Sequence, residues 1–204
     1  MSFKTKGYQL VKQIIPQEMA KLAKNYLLVR EQVFNTLINN KIISPYQQEY
    51  GIYNDQQVSG AFSIYGDVLM DCFLLKLQKQ VEKVIGIKLY PTYSYARVYK
   101  KGHKLEIHKD REECKFSTTL NLGGDSWPIY MDKKSITLKP GDMVIYRGCD
   151  IAHYRKPFTG SYCCQLFLHY VDEEFKEKHL DGRPHIGFSR YNGSEKPIIY
   201  DNNK

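Results

Sequence analysis

The stretch Leu105-Glu106-Ile107-His108-Lys109-Asp110 decides how this chain is read, taken together with a lone His153 forty-three residues beyond Asp110. Two histidines and one carboxylate form a ligand set that holds Fe(II) on one triangular face and leaves the other face open for chemistry. In a strand, residues i and i+2 point the same way. His108 and Asp110 are therefore expected to project together, with Leu105 and Ile107 packed against the core on the other face. The third ligand must come from a neighbouring strand. His153 suits this, because it follows the turn Pro140-Gly141-Asp142, an apolar strand from Met143 to Tyr146 and a short loop. A His-x-Asp triplet alone is expected by chance roughly 0.3 times in a chain of this composition. The weight therefore lies in the order of the parts. A plainer reading of the same residues is a surface His108–Asp110 pair with His153 packed in the core.

Working outward, residues 8–15 read as a short strand, and Pro16-Gln17-Glu18 opens a helix to about Asn39. Leu22, Tyr26, Leu27 and Val33 are its expected buried side. Residues 43–65 read as irregular. A second helix runs from about Asp67 to Gly86, with Val68, Leu69, Phe73, Leu74, Leu77, Val81 and Val84 at helical spacing. From Leu89 the pattern changes to short strands at 90–100, 104–110, 116–122, 127–131, 135–138, 142–147, 151–155 and 162–171, parted by turn residues. Four of the seventeen tyrosines fall between Tyr90 and Tyr99, as suits strands. Strands this close together, with helices before them, predict an α+β, mainly β domain: a sandwich or barrel with helical support. The expected organisation is one domain over 1–204, with helical support at 1–88, a β core at 89–172 and a C-terminal tail at 173–204 that is loosely structured over 182–204.

Composition is ordinary for a globular protein, with 42% hydrophobic and 25% charged residues. The net charge of +8 predicts a solvated basic surface or attraction to an acidic macromolecule. No dense Lys/Arg run marks a nucleic-acid groove. The five cysteines include no CxxC pair, which argues against a zinc ribbon and for reduced thiols inside a cell. Adjacent Cys163 and Cys164 are expected on opposite faces of a strand. No signal-like or membrane-spanning run is present, so the expected location is cytoplasmic.

The stretch 93–102, YSYARVYKKG, continuing through His108-Lys109-Asp110, resembles the 2-oxoglutarate- and Fe(II)-dependent dioxygenase superfamily, most of all its prolyl-4-hydroxylase-like branch. A Thr-rich strand follows at 117–122, STTLNL, and the distal histidine follows the Pro-Gly-Asp turn. The resemblance covers about 90–171. It implies a double-stranded β-helix (jelly-roll) core with N-terminal supporting helices, and His108, Asp110 and His153 as catalytic iron ligands. It also implies 2-oxoglutarate as co-substrate, ascorbate as a further candidate cofactor, and a hydroxylase reaction that yields succinate and CO2. The substrate would be a peptide, such as a peptidyl proline, or a small molecule.

The family usually sets an Arg or Lys about ten residues after the distal histidine, to pair with the co-substrate's distal carboxylate. Here residues 159–166 read TGSYCCQL and contain no basic residue. The nearest substitutes are Arg155, preferred, then Lys156 and Arg97, with Tyr99, Thr118 and Gln165 as hydrogen-bonding partners. His103 reads as a solvated turn residue, His169 as a packed strand-end histidine and Trp127 as core. Arg147 and Asp150 read as a loop ion pair or as the mouth of the pocket. Two other functions fit the same residues. One is a non-catalytic β-barrel that binds a ligand or metal; the other is a cupin-like metalloenzyme that does not use 2-oxoglutarate.

Overall fold

Alternation along single strands separates two interiors, and this places the site. The computed structural model describes residues 3–44, 47–53 and 55–189. Among the described residues three α-helices, α1 (Phe3–Lys6), α2 (Gln17–Asn39) and α3 (Val68–Ile85), accompany ten strands. The strands are β1 (Tyr8–Val11), β2 (Phe62–Tyr65), β3 (Tyr90–Lys100), β4 (Leu105–His108), β5 (Phe116–Gly124), β6 (Ile129–Met131), β7 (Lys134–Ile136), β8 (Met143–Arg147), β9 (His153–Arg155) and β10 (Tyr162–Val171). A six-stranded sheet has the order β1-β8-β5-β10-β3-β2, and a four-stranded sheet has the order β4-β9-β6-β7. Every pairing is antiparallel.

One face of the larger sheet packs on the helices. Ala96, Val98, Phe116, Leu120, Leu122, Met143, Ile145, Cys164, Leu166 and Leu168 join Leu27, Phe34, Leu74 and Leu77 in the main core. The alternate residues of the same strands turn toward the smaller sheet. Tyr99, Cys163 and Phe167 form one small cluster there, and Val144 and Tyr146 form another. Cys163 and Cys164 thus face opposite sides, as a strand requires.

Helix α3 starts and stops where its sequence says it should. Asp67 caps it by accepting from the N–H groups of Leu69 and Met70, and Gly86 ends it in the left-handed region at φ 90°. On α2 the buried stripe is Ala20, Ala23, Leu27, Glu31 and Phe34. Leu22 and Val33, expected inside, are 64% and 44% exposed. At 3.6 residues per turn Leu22 and Val33 fall on the opposite side of the helix from this stripe, so they face away from the sheet. Val68, also expected inside, is exposed. Within the stretch expected to be irregular, Phe62–Tyr65 forms the edge strand β2 against β3; four residues give alternation too little length to register. Strand β1 ends at Val11, earlier than expected, and Gln13 follows at a positive φ of 48°.

Beyond β10 two short 3-10 turns within Glu173–Gly182, parted by a kink with non-helical backbone at His179, Leu180 and Asp181, lead into a docked strap. Arg183 is buried; it donates to Asp71 Oδ2 of α3 at 2.8 Å and to the Thr92 carbonyl at 2.8 Å. Residues 182–189 of the stretch expected to be loose are therefore held down; 190–204 lie outside the described residues. Among the described residues, no helix is long and apolar enough to cross a membrane.

Candidate metal centre

His108 closes β4 and His153 opens β9, and the two are register partners across that pair of strands. The pairing is irregular between Leu105 and His108. This breaks the simple alternation expected there: Leu105 is buried, but Ile107 is 65% exposed. Asp110 lies beyond the end of β4, where its N–H donates to the Gly148 carbonyl at 2.9 Å. A turn, rather than strand parity, brings it to the histidines.

The three side chains converge. One ligand atom from each of His108, Asp110 and His153 lies within 4.8 Å of the others. Asp110 Oδ1 is 3.6 Å from His108 Nε2 and 3.5 Å from His153 Nε2. Each imidazole is oriented by the backbone two residues before it. His108 Nδ1 meets the Glu106 carbonyl at 2.8 Å, and His153 Nδ1 meets the Ile151 carbonyl at 3.0 Å. A carbonyl accepts only, so each Nδ1 carries a proton, and Nε2 is the atom of each ring left to present a lone pair to a metal at the common centre, once it gives up any proton shared with Asp110. Burial works to raise the Asp110 carboxyl, but hydrogen bonds from His108 and His153 outweigh it and hold the group well below the usual carboxylate range. Two imidazole nitrogens and an ionised carboxylate on one face fit a divalent transition metal with positions to spare.

The triad borders a cavity of about 690 Å³ whose walls include Tyr93, Tyr95, Arg97, Tyr146, Phe167 and His169. The Tyr146 hydroxyl lies 3.5 Å from His153 Nε2.

The residues expected to anchor a co-substrate carboxylate divide sharply. Arg155 shares the inward face of β9 with His153 and is fully buried. Its guanidinium donates to Gln165 Oε1 at 3.2 Å, to Thr119 Oγ1 at 3.4 Å and to the Trp127 carbonyl. Its Nε has no hydrogen-bond partner, and among the described residues no carboxylate pairs with it. Burial pushes it below its ordinary value. Arg97 is already compensated: it pairs with Asp55 at 2.6 Å and also donates to Gln57 Oε1 and the Tyr99 hydroxyl. Gln165 stands with Arg155. Tyr99 stands with Arg97. Thr118 faces the wrong way, accepting from the Leu168 N–H at 3.1 Å; its neighbour Thr119 occupies the inward position. Lys156 lies outward, over the Tyr130 ring.

Elsewhere, His103 closes its turn by accepting from the Lys100 N–H. Trp127 packs edge-on against Tyr99. Arg147 and Asp150 do not line the triad's cavity; they border a second one, of about 530 Å³. His169 is more than a packed histidine. It lines the main cavity and contacts Ser117 Oγ at 2.9 Å. Burial lowers it to about 4, so it is neutral near pH 7. Ser117, Thr119, Tyr146 and Asp55 were not singled out from sequence; for Ser117 and Thr119 the signal is parity on β5, which needs the register to be used.

No family model matches the chain, and no curated protein sequence matches it. Solved structures do. A prolyl-4-hydroxylase from Pseudomonas putida aligns over 84% of this chain and 95% of its own, at 14% identity and a TM-score of 0.57. The viral collagen prolyl hydroxylase of Paramecium bursaria Chlorella virus-1, solved with 2-oxoglutarate, aligns over 83% and 98%, at 12% identity and a TM-score of 0.55. HygX from Streptomyces hygroscopicus, solved with nickel and 2-oxoglutarate, aligns over 84% and 85%, at 10% identity and a TM-score of 0.57. With two antiparallel sheets facing each other and helices backing the larger, the chain has the double-stranded β-helix fold of the 2-oxoglutarate/Fe(II)-dependent oxygenases.

Proposed function

We propose that this protein is a 2-oxoglutarate-dependent Fe(II) oxygenase that hydroxylates a C–H bond of a substrate held in the cavity beside the triad. The observation that carries this is the convergence of His108 Nε2, Asp110 Oδ1 and His153 Nε2, with both Nδ1 protons already committed to backbone carbonyls. Fe(II) with 2-oxoglutarate, once bound, supplies the activation of O2 that such chemistry needs. The chain's own residues then have distinct tasks. The triad holds the metal on one face. Arg155, a buried cation with an unused N–H and no carboxylate partner among the described residues, attracts the distal carboxylate of the co-substrate. Gln165 and Thr119 set the angle of that guanidinium. Arg97 instead ties down the segment around Asp55 at the cavity wall.

Tyr93, Tyr95 and Phe167 give the cavity an aromatic wall, which favours an extended peptide, and a peptidyl proline is the first substrate to test. A second reading, a metal site that uses no 2-oxoglutarate, draws on one observation: Arg155 is fully buried, and the cavity walls at the triad do not include it.

Anaerobic titration separates the two. Fe(II) and 2-oxoglutarate together should give a visible charge-transfer band that neither gives alone. A protein that binds Fe(II) but develops no band on adding 2-oxoglutarate supports the second reading and overturns the first.

A further inference from the structure

We propose that Ser117 and His169 form a positioning relay that fixes Asp110 as a one-oxygen ligand; this rests on the metal-site reading above. The two oxygens of Asp110 live in different surroundings. Oδ1 faces both histidine Nε2 atoms, whereas Oδ2 accepts a hydrogen bond from Ser117 Oγ at 2.7 Å. Ser117 is fully buried on β5, and its register partner on β10 is His169.

The direction of the relay follows from proton counting. A serine hydroxyl has one proton to give and two lone pairs. Around Ser117 Oγ stand two groups that only accept, Asp110 Oδ2 at 2.7 Å and the Cys114 carbonyl at 2.9 Å. His169 Nδ1 is also a neighbour, at 2.9 Å, and the hydroxyl of Tyr146, the register partner of Ser117 on β8, can donate as well as accept there. A charged acceptor takes the stronger bond, so the serine proton goes to Asp110. His169 must then donate. The chain runs His169 Nδ1–H to Ser117 Oγ, and Ser117 Oγ–H to Asp110 Oδ2. The His169 ring is itself held by Tyr93, with centroids 4.5 Å apart.

The far side of Oδ2 is closed. A Cβ built on Gly148 would lie 2.6 Å from Asp110 Oδ2, 2.8 Å from Ser117 Oγ and 2.2 Å from the Cys114 carbonyl. Gly148 therefore packs so closely behind Oδ2 that the carboxylate has no room to retreat from the Ser117 hydroxyl on that side. A carboxylate held to one oxygen uses one coordination position instead of two and leaves the other for exogenous ligands. Outer partners of this kind orient metal ligands and tune affinity.

The test is anaerobic titration of the metal-free protein with Co(II) alone, reading affinity and the visible ligand-field spectrum. Ser117→Ala should weaken Co(II) binding by about tenfold to a hundredfold and change the spectrum, while Ser117→Thr, which keeps the hydroxyl, stays close to wild type. His169→Phe keeps a ring against Tyr93 and should weaken binding in the same direction. The Ser117→Ala/His169→Phe double variant should be no weaker than Ser117→Ala, because the two act in series. Wild-type affinity and spectrum in folded Ser117→Ala, or losses that multiply in the double variant, would overturn the relay. Should Ser117→Ala not fold by thermal melting, His169→Phe decides alone, and unchanged Co(II) binding there sinks the proposal. A wild-type protein that binds no Co(II) through His153 overturns the metal-site reading itself; wild-type binding that is indifferent to Ser117 and His169 overturns only the relay.

Discussion

Arg155 and Gln165 meet inside the barrel, with the Arg155 guanidinium donating to Gln165 Oε1 at 3.2 Å. Gln165 stands on β10, the strand that in the resembled family usually brings the basic residue, and Arg155 reaches it from β9. Arg155 thus sets a positive charge beside β10, which carries no Arg or Lys of its own. Arg155→Leu should weaken 2-oxoglutarate binding by about tenfold to a hundredfold, as expected for a charge-assisted hydrogen bond worth roughly 1.5–3 kcal/mol. Its Fe(II) affinity should stay unchanged. The charge-transfer band, titrated with 2-oxoglutarate at saturating Fe(II), reads the first; titration with metal alone reads the second. If Arg97→Leu produces this pattern and Arg155→Leu does not, the anchor is Arg97.

Metal affinity should fall in mild acid, and His108 sets where. Burial disfavours its charged form, but the hydrogen bonds to Asp110 and the Glu106 carbonyl, with the charge of Asp110, outweigh that and raise the group above 6.5. Without metal, His108 therefore keeps its proton to a higher pH than an ordinary histidine, and binding must displace it. Co(II) affinity should be flat above the raised value and fall about tenfold per pH unit below it for this one proton. Calorimetry in two buffers of different ionisation enthalpy should show proton release that grows as pH falls toward 6. Affinity unchanged from pH 8 to pH 5.5 would remove His108 from the ligand set.

The strap after β10 is held by a buried ion pair. Arg183 and Asp71 lie 2.8 Å apart with side chains 1% and 0% exposed, and Asp71 also accepts from the Ser94 hydroxyl and the Gly187 N–H. Removing one partner strands the other charge in the interior, at a cost of about 3–5 kcal/mol. Arg183→Met should lower the unfolding free energy by that order in urea at pH 7. A loss under about 1 kcal/mol would mean that Ser94 and Gly187 satisfy Asp71 without it.

These contrasts also show what the sequence could and could not disclose. The order of His-x-Asp, Pro-Gly-Asp and His153 was legible because it follows the chain, and Arg155 was legible because it lies two residues from His153 on one strand. Thr119, not Thr118, faces Arg155, and sequence could not tell the two apart because the choice of face depends on register, where a shift of one residue reverses every side chain. Ile107 defied alternation because the β4–β9 pairing is irregular. Arg183 and Asp71 are 112 positions apart, and nothing local in either segment announces the other. Ser117 shares that fate: its role appears only when β5 and β10 are laid side by side.

Gly148 gives the sharpest steric test of the site. Its φ is not in the left-handed region, so a side chain there costs only space; but that space holds the Cys114 carbonyl at 2.2 Å and Asp110 Oδ2 at 2.6 Å from the added Cβ. The carbonyl is backbone and cannot swing away. Gly148 is itself tied in place, because its own carbonyl accepts from the Asp110 N–H and its N–H donates to the Lys115 carbonyl, both at 2.9 Å. Gly148→Ala must therefore move Asp110, and the strain of overpacking should cost about 1–3 kcal/mol. Gly102 is the natural control. It has a positive φ of 90° but nothing within 4 Å of an added Cβ, so Gly102→Ala should lose stability through the backbone alone and leave the metal site intact. Co(II) affinity should fall at least tenfold in Gly148→Ala and stay at the wild-type value in Gly102→Ala, with both compared by thermal melting. Equal Co(II) affinity in the two variants would show that the Gly148 loop does not hold Asp110 in place.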